Sequence, residues 1–146
     1  MFSHLQWILC TKGIIMKLII ILTFIISFAK CDIVIVTNKK SSFDSLSKEM
    51  VQYLYLGQID YINHIKITPL LSDERRMHDK FLKKIINKTS SQYNSYWSRL
   101  IFTGLKPFPQ VCTKKTLEMK LEEINAIAYI NEEDLEDNWK IVYKEK

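Results

Sequence analysis

The N-terminal region contains the feature that most limits how this 146-residue chain can fold. Residues 18–28 form an apolar run of eleven residues that contains no charged residue. A helix that spans a bilayer needs about 20 apolar residues, whereas a shorter run is typical of the core of a signal peptide. Lys17 precedes the run, and residues 27–29, Ser-Phe-Ala, form a small-x-small cleavage site. We therefore expect residues 1–29 to be a signal peptide and residues 30–146 to form the folded domain.

Three interpretations of this segment stay open. Its length and flanks favour cleavage after Ala29, and the alternatives are an uncleaved N-terminal anchor and a buried helix. Met16 directly precedes Lys17, so Met16 is an alternative translation start to Met1. Lys30 stands where a lipoprotein signal needs a small residue, so we do not expect Cys31 to carry a lipid.

The composition of the remaining 117 residues excludes several classes of protein. This length predicts one domain and excludes a large two-domain enzyme. Removal of two lysines lowers the net charge from +5 to +3, without the clustered basic face that nucleic-acid binding requires. Export permits a disulfide between Cys31 and Cys112, but their spacing does not determine it. The scattered histidines show no metal-ligand spacing, so we expect no metal and no cofactor.

Strand and helix patterns alternate along this domain. Runs rich in apolar and β-branched residues predict strands at residues 32–37, 66–71, 126–130 and 139–143. Apolar stripes at helical spacing predict helices between them, three of which begin at caps. These caps are Ser47, Ser72 and Thr113, and a fourth helix carries Tyr93, Tyr96 and Trp97 as core residues. The order of elements predicts an α/β fold with a mixed sheet of about four strands flanked by helices.

Three segments of the sequence resemble a known protein family. They are SLSKE followed by LYLG in residues 45–57, YWSRLIFTG in residues 96–104, and AIAYI in residues 126–130. They resemble the small secreted substrate-binding proteins of the phosphate ABC-transporter type, a branch of the type 2 periplasmic binding-protein superfamily. YWSRLIFTG is the most specific segment, and the resemblance covers nearly all of the chain after residue 29.

The resemblance implies a periplasmic location, a single lobe of a two-lobed fold, and an anion such as phosphate as ligand. Full-size relatives close two lobes on the ligand, and 117 residues are too few for two such lobes. A second copy or a partner would then form the opposite wall of the site.

Residues 71–77 depart from the phosphate-binding loop of this family. That loop has the form Arg-x-Asp-Gly-Ser-Gly-Thr, with a Phe four residues after the Thr. An ungapped placement that puts Phe81 on this Phe leaves Asp73 as the one matching residue. Glu74 and Arg76 replace the two glycines, so the close approach of backbone amides to phosphate is lost.

Two interpretations of the rewritten loop are open. In one, Ser72 and Asp73 stand at the start of a helix whose amides bind an anion, with Arg75 or Arg76 as charged donors. In the other, Ser72 is only a helix cap and the residues after it are a solvated helix face.

The loop after the first predicted strand is a second candidate. It contains Ser41 and Ser42 next to Lys39 and Lys40. Ligands of α/β proteins usually bind at the carboxyl ends of strands, so these side chains could contact an anion. The alternative is an ordinary solvated loop.

The sequence contains no catalytic arrangement of carboxylates, nucleophile and histidine, and we expect no enzymatic activity. We expect a secreted or periplasmic bacterial protein that is an accessory anion-binding or sensing module of a transport system. We expect its ligand to be a small oxyanion such as phosphate and its partner to be an envelope transporter, sensor or porin. We expect it to contact the membrane only if the signal peptide stays uncleaved. The alternative is a ligand-free protein–protein interaction module that kept the fold.

Overall fold

The computed structural model describes residues 32–145. The predicted signal peptide, the Met16 start and Cys31 lie outside the described residues, so the cleavage and disulfide hypotheses stay predictions. No helix within the described part is both long enough and apolar enough to span a membrane.

Five strands form one mixed sheet in the order β5-β4-β6-β1-β7. Strand β4 pairs in parallel with β5 and β6, whereas β1 pairs antiparallel with β6 and β7. Every residue of β1 is buried, as its continuous apolar run predicts. A separate short hairpin consists of β2 and β3. The strands are β1 (Ile33–Asn38), β2 (Tyr61–Ile62), β3 (Ile65–Lys66), β4 (Thr68–Ser72), β5 (Gln110–Cys112), β6 (Ala126–Asn131) and β7 (Trp139–Lys144).

Helices cover both faces of the sheet, and each face has its own apolar core. The first three helices contribute to one core and the fourth to the other. The helices are α1 (Lys48–Tyr55), α2 (Arg75–Phe81) with a π-helical continuation (Leu82–Ile86), α3 (Ser90–Phe102) and α4 (Lys114–Leu121), and a 3-10 turn (Glu132–Asp134) follows β6. The predicted α/β fold with a mixed sheet flanked by helices is confirmed.

The core between the sheet and helices α1 to α3 is centred on aromatic rings. Tyr129 of β6 stacks on Phe81 of α2 with 3.9 Å between ring centroids and an interplanar angle of 8°. Tyr55 of α1 meets Phe81 edge-on at 4.7 Å. Because each ring is essentially removed from water, this cluster holds α1 and α2 against the sheet.

Three aromatic residues of α3, two of them in the YWSRLIFTG segment, position this helix through hydrogen bonds to the end of α1. The last carbonyls of a helix have no partner within it and must be satisfied from outside. The hydroxyl of Tyr93 donates to the carbonyl of Tyr55 at 2.8 Å, that of Tyr96 donates to Leu56 at 2.8 Å, and the indole of Trp97 also donates to Tyr55 at 3.3 Å. The aromatic residues are therefore structural, as their helical spacing predicts.

Gly57 ends α1 with a left-handed backbone conformation, φ +66°. A Cβ atom at this position would lie 2.7 Å from Cη2 of Trp97, closer than two carbon atoms can approach. Gly57 is therefore required both by its backbone angle and by the packing of α3.

The structure corrects the sequence analysis at three places. Strand β5 was not predicted, because its three residues follow the proline-rich connector at residues 106–109. The predicted strand 66–71 is divided between β3 and β4, and the turn of the missed hairpin holds Asn63 and His64 at positive φ. Ser72 is not the N-cap of α2: the N-cap is Glu74, whose side chain makes no capping bond, and the Ser72 hydroxyl accepts the Glu74 N–H one residue before the helix.

Candidate functional site

Two concave surfaces flank the junction between β4 and α2. The first, named here the acidic cleft, has a volume of about 320 Å³ and lies between this junction, α4 and the segment that leads into β7. Its apolar lining includes Met77, Leu117 and Trp139. Its carboxylate lining comprises Asp73, Glu74, Glu118, Glu133, Asp134 and Glu136.

The charge of the acidic cleft is strongly negative. Lys114 is the one lysine among its lining residues, against six carboxylates. The Lys114 ammonium contacts Asp134 at 3.0 Å, and this hydrogen bond, with the nearby charges of Asp134, Glu118 and Glu136, raises the lysine pKa above its usual value. Such a field repels an oxyanion unless additional cations enter with it.

Ser72 lies at the inner end of this cleft and its polar groups are already engaged. Its N–H donates to the hydroxyl of Tyr129 at 2.8 Å, and its own hydroxyl accepts the N–H of Glu74 at 3.1 Å. The Tyr129 hydroxyl also contacts Nδ1 of His78 at 2.7 Å. Burial lowers the pKa of His78, which favours the neutral ring, and a neutral ring protonated on Nε2 accepts the tyrosine proton at Nδ1.

The second concave surface, named here the basic groove, is an open depression of about 700 Å³ on the other side of the junction. Arg75, Lys83 and Lys88 line it, and Asp79 is its one acidic residue. Asp79 accepts a hydrogen bond from Ser90 and lies 3.9 Å from Nε of Arg75. Three cations against one carboxylate leave the groove positive.

The N-terminus of α3 forms the other wall of the basic groove. Thr89 caps this 13-residue helix: its hydroxyl accepts the Gln92 N–H, and the Gln92 side chain accepts the Thr89 N–H. Residues 89–92 all line the groove. The positive end of the helix dipole therefore adds to the charge of the basic residues. The Thr-x-x-Gln spacing is the sequence signal that would have identified this helix start.

The structure does not bring the predicted anion-binding residues together. Ser72 and Asp73 line the acidic cleft, Arg75 lines the basic groove, and Arg76 is exposed and lines neither. Successive residues of the junction therefore line different surfaces, and anion binding by Ser72 and Asp73 with Arg75 or Arg76 stays a prediction.

Ser41 and Ser42 lie at the opposite end of the sheet. Strand β1 runs antiparallel to β6, with Thr37 opposite Ile127 near the start of β6, whereas β4 runs parallel to β6 and ends beyond its middle. The Ser41 hydroxyl is buried without a hydrogen-bond partner among the described residues, and Ser42 is exposed. These serines cannot share a site with Ser72 or Arg75.

Metal and nucleophile chemistry find no support in residues 32–145. No group of three or more metal-ligating side chains comes together there. Cys112 is buried, and burial raises the pKa of its thiol, which keeps the sulfur protonated and unreactive at neutral pH.

An exposed apolar surface follows the end of α3. Phe102 is 94% exposed and Leu105 is 69% exposed, and Ile101 beside them is half exposed. Ile101 follows the buried Trp97 by four residues on α3, yet about half of its surface is exposed. Clustered exposed apolar side chains of this size mark contact surfaces more often than isolated ones do.

Two solved structures share the fold of this chain over part of their length. A Clostridium perfringens protein assigned as a phosphate ABC transporter substrate-binding protein, solved with bound phosphate, matches with a TM-score of 0.60 and 18% identity over 76% of this chain and 44% of its own. The described domain shares its α/β fold with part of that protein. An ABC-type phosphate transport receptor from Vibrio cholerae matches equally well, with a TM-score of 0.60 and 15% identity over 76% of this chain and 45% of its own.

The chain thus spans less than half the length of both proteins. No protein-family model and no curated protein matches its sequence. The recognition made from the three short sequence segments is confirmed at the level of the fold.

Proposed function

We propose that this chain is an extracytoplasmic solute-binding module that binds a small oxyanion and has an accessory or sensing role in a transport system. Two solved transport proteins share its fold, and one of them contains phosphate. An envelope transporter, sensor or porin is the partner that this role implies.

The basic groove is the observation that carries the proposal. Arg75, Lys83 and Lys88 face an open depression into which the N-terminus of α3 points its positive dipole end. A guanidinium, two ammonium groups and serine hydroxyls are the donors that bind oxyanions in proteins. The proposed anion site therefore includes Arg75, as the sequence predicted, together with Lys83 and Lys88. It does not include Ser72 and Asp73, because the cleft that they line is negatively charged.

Isothermal titration calorimetry of the purified protein with phosphate and with sulfate tests this site. The double variant Arg75→Gln/Lys83→Gln removes two of the three cations. We expect it to weaken anion binding about tenfold, since each open, solvent-screened charge contributes on the order of 0.5–1 kcal/mol. Raising the salt concentration should weaken binding to the wild-type protein as well.

The matched control is Arg76→Gln/Lys84→Gln, which changes the net charge equally at the adjacent positions. Neither side chain lines the basic groove. If both double variants weaken binding equally, anions respond to net charge rather than to a site. If the wild-type protein binds no anion at millimolar concentration, the oxyanion function is wrong.

A second candidate function is a protein–protein interaction module, and the apolar surface at Ile101, Phe102 and Leu105 favours it. Phe102→Ser should abolish capture of an envelope partner without affecting calorimetric anion binding. Loss of anion binding on this change would contradict the separation of the two surfaces.

A further inference from the structure

We infer that the acidic cleft is a second ligand site, which binds a small organic cation carrying an ammonium group, an apolar chain and a hydrogen-bond acceptor. This site is distinct from the basic groove, and the inference does not rest on the oxyanion proposal.

The charges of the cleft require a cation. Of its six carboxylates, Asp134 is paired with Lys114, and Glu133 has interactions of its own. The other four, Asp73, Glu74, Glu118 and Glu136, form no ion pair within residues 32–145. They come from three separate parts of the chain, the β4–α2 junction, α4 and the segment before β7, and converge on one concavity. An ammonium group entering this concavity lowers their mutual repulsion.

The apolar lining between the carboxylates favours a ligand with an apolar part. Met77, Leu117, Ile130 and Leu135 line the cleft beside the charged groups. A volume of about 320 Å³ is at the lower end of the range for small-molecule sites, which suits a ligand of amino-acid size. A bare metal ion would leave these side chains uncovered.

Trp139 gives an independent indication of a ligand. It lines the cleft with only 3% of its surface exposed, and its indole Nε1–H is buried without a hydrogen-bond partner among the described residues. An indole N–H is a donor only, and an unpaired buried donor costs about 1–3 kcal/mol. A carbonyl oxygen of the ligand would satisfy it, which extends the inference from a simple amine to an amine that carries an acceptor.

Lysinamide, cadaverine and hexanamide separate these contributions. Lysinamide has ammonium groups, an apolar chain and a carbonyl; cadaverine lacks the carbonyl, and hexanamide lacks the charge. We expect calorimetry or NMR titration to rank lysinamide above cadaverine and to detect no binding of hexanamide. Failure of lysinamide to bind at millimolar concentration, or equal binding of hexanamide, overturns the inference.

Variants of the protein then locate the site. Glu118→Gln/Glu136→Gln should weaken lysinamide binding about tenfold, because two partly exposed carboxylates are lost. The control Asp137→Asn alters the carboxylate next to Glu136 that does not line the cleft, and it should leave affinity within twofold. Equal weakening by both would show a response to net charge and contradict a defined site.

Trp139→Phe keeps an aromatic ring in the core and removes the N–H. It should weaken lysinamide binding severalfold while leaving cadaverine binding unchanged. Thermal unfolding of each variant verifies that it is folded. Unchanged lysinamide binding by folded Trp139→Phe would contradict the inference that the ligand carries a hydrogen-bond acceptor. A parallel titration with phosphate should show that Trp139→Phe leaves anion binding at the basic groove unchanged.

Discussion

The acidic cleft and the basic groove begin at consecutive residues and have opposite charge. Glu74 lines the cleft and Arg75 lines the groove, because the chain turns from the end of β4 into α2 between them. Six carboxylates face one lysine on one side, and three cations face one carboxylate on the other. The difference shows that a short charged run in a sequence does not define a site until the backbone has assigned each residue to a surface.

The two surfaces also rest on different layers of the fold. The groove is built on α2 and α3, which α1 and the aromatic cluster hold against one face of the sheet. The cleft is closed by α4 on the other face. Damage to one layer should therefore affect the two surfaces unequally.

Gly57→Ala should have the largest effect of the changes considered. The added methyl group meets Trp97 at 2.7 Å and the backbone stays in the left-handed region, so we expect a loss of about 3 kcal/mol in the free energy of unfolding. Chemical denaturation measures this loss. Because Trp97 belongs to α3, anion binding at the groove should weaken more than lysinamide binding at the cleft, and an equal loss at both would contradict the separation of layers.

Exchanging Glu74 and Arg75 tests the comparison directly. The double variant Glu74→Arg/Arg75→Glu keeps the net charge of the protein but moves each surface two charges toward neutrality. We expect anion binding to fall more than about tenfold and lysinamide binding to fall several-fold, both by calorimetry. Unchanged affinities would mean that these two side chains do not face separate surfaces.

His78 should make the free energy of unfolding depend on pH. Burial lowers the pKa of His78 below its usual value of about 6.5, with the Asp79 charge opposing this effect. The unfolded chain therefore binds a proton more readily than the folded one, so stability is constant above about pH 6.5 and falls as the pH drops below it.

Because His78 is only half-buried, solvent screening keeps this loss small. Urea denaturation between pH 7.5 and 5.5 measures it, and His78→Gln should reduce the slope. His64→Gln, in the exposed turn of the β2–β3 hairpin, is the control. The same slope in wild-type protein and His78→Gln would contradict a lowered pKa of His78 in the folded state.

Sequence patterns were sufficient for the parts of the fold that depend on local physics. The apolar run of β1, the cap at Ser47, the cap at Thr113 and the helical spacing of Tyr93 and Trp97 all have their predicted roles. Each is determined by burial or by a hydrogen bond within a few residues. Strand β5 was missed because three residues carry too little pattern, and its pairing with β4 is a long-range contact.

The site was harder to predict for the same reason. Placing Ser42 and Arg75 at one edge requires the direction of β1 relative to β4, and a single sequence contains no signal for that direction. The acidic cleft depends on bringing Glu118 of α4 to Glu136, which no local pattern indicates. Trp139 was identified as a strand residue, and its unpaired N–H becomes visible only with its neighbours in place.

The smallest expected effect comes from the serines at the far end of the sheet. Ser41→Ala and Ser42→Ala should leave anion binding within twofold of wild type, because the strand registers place them at the end of the sheet opposite the β4–α2 junction. Ser41→Ala should also raise the free energy of unfolding by a few tenths of a kcal/mol, since its buried hydroxyl has no partner and alanine removes that cost. Ser42 is exposed and should be neutral. A large loss of anion binding in either variant would return the anion site to the loop after β1 and leave the basic groove without a ligand.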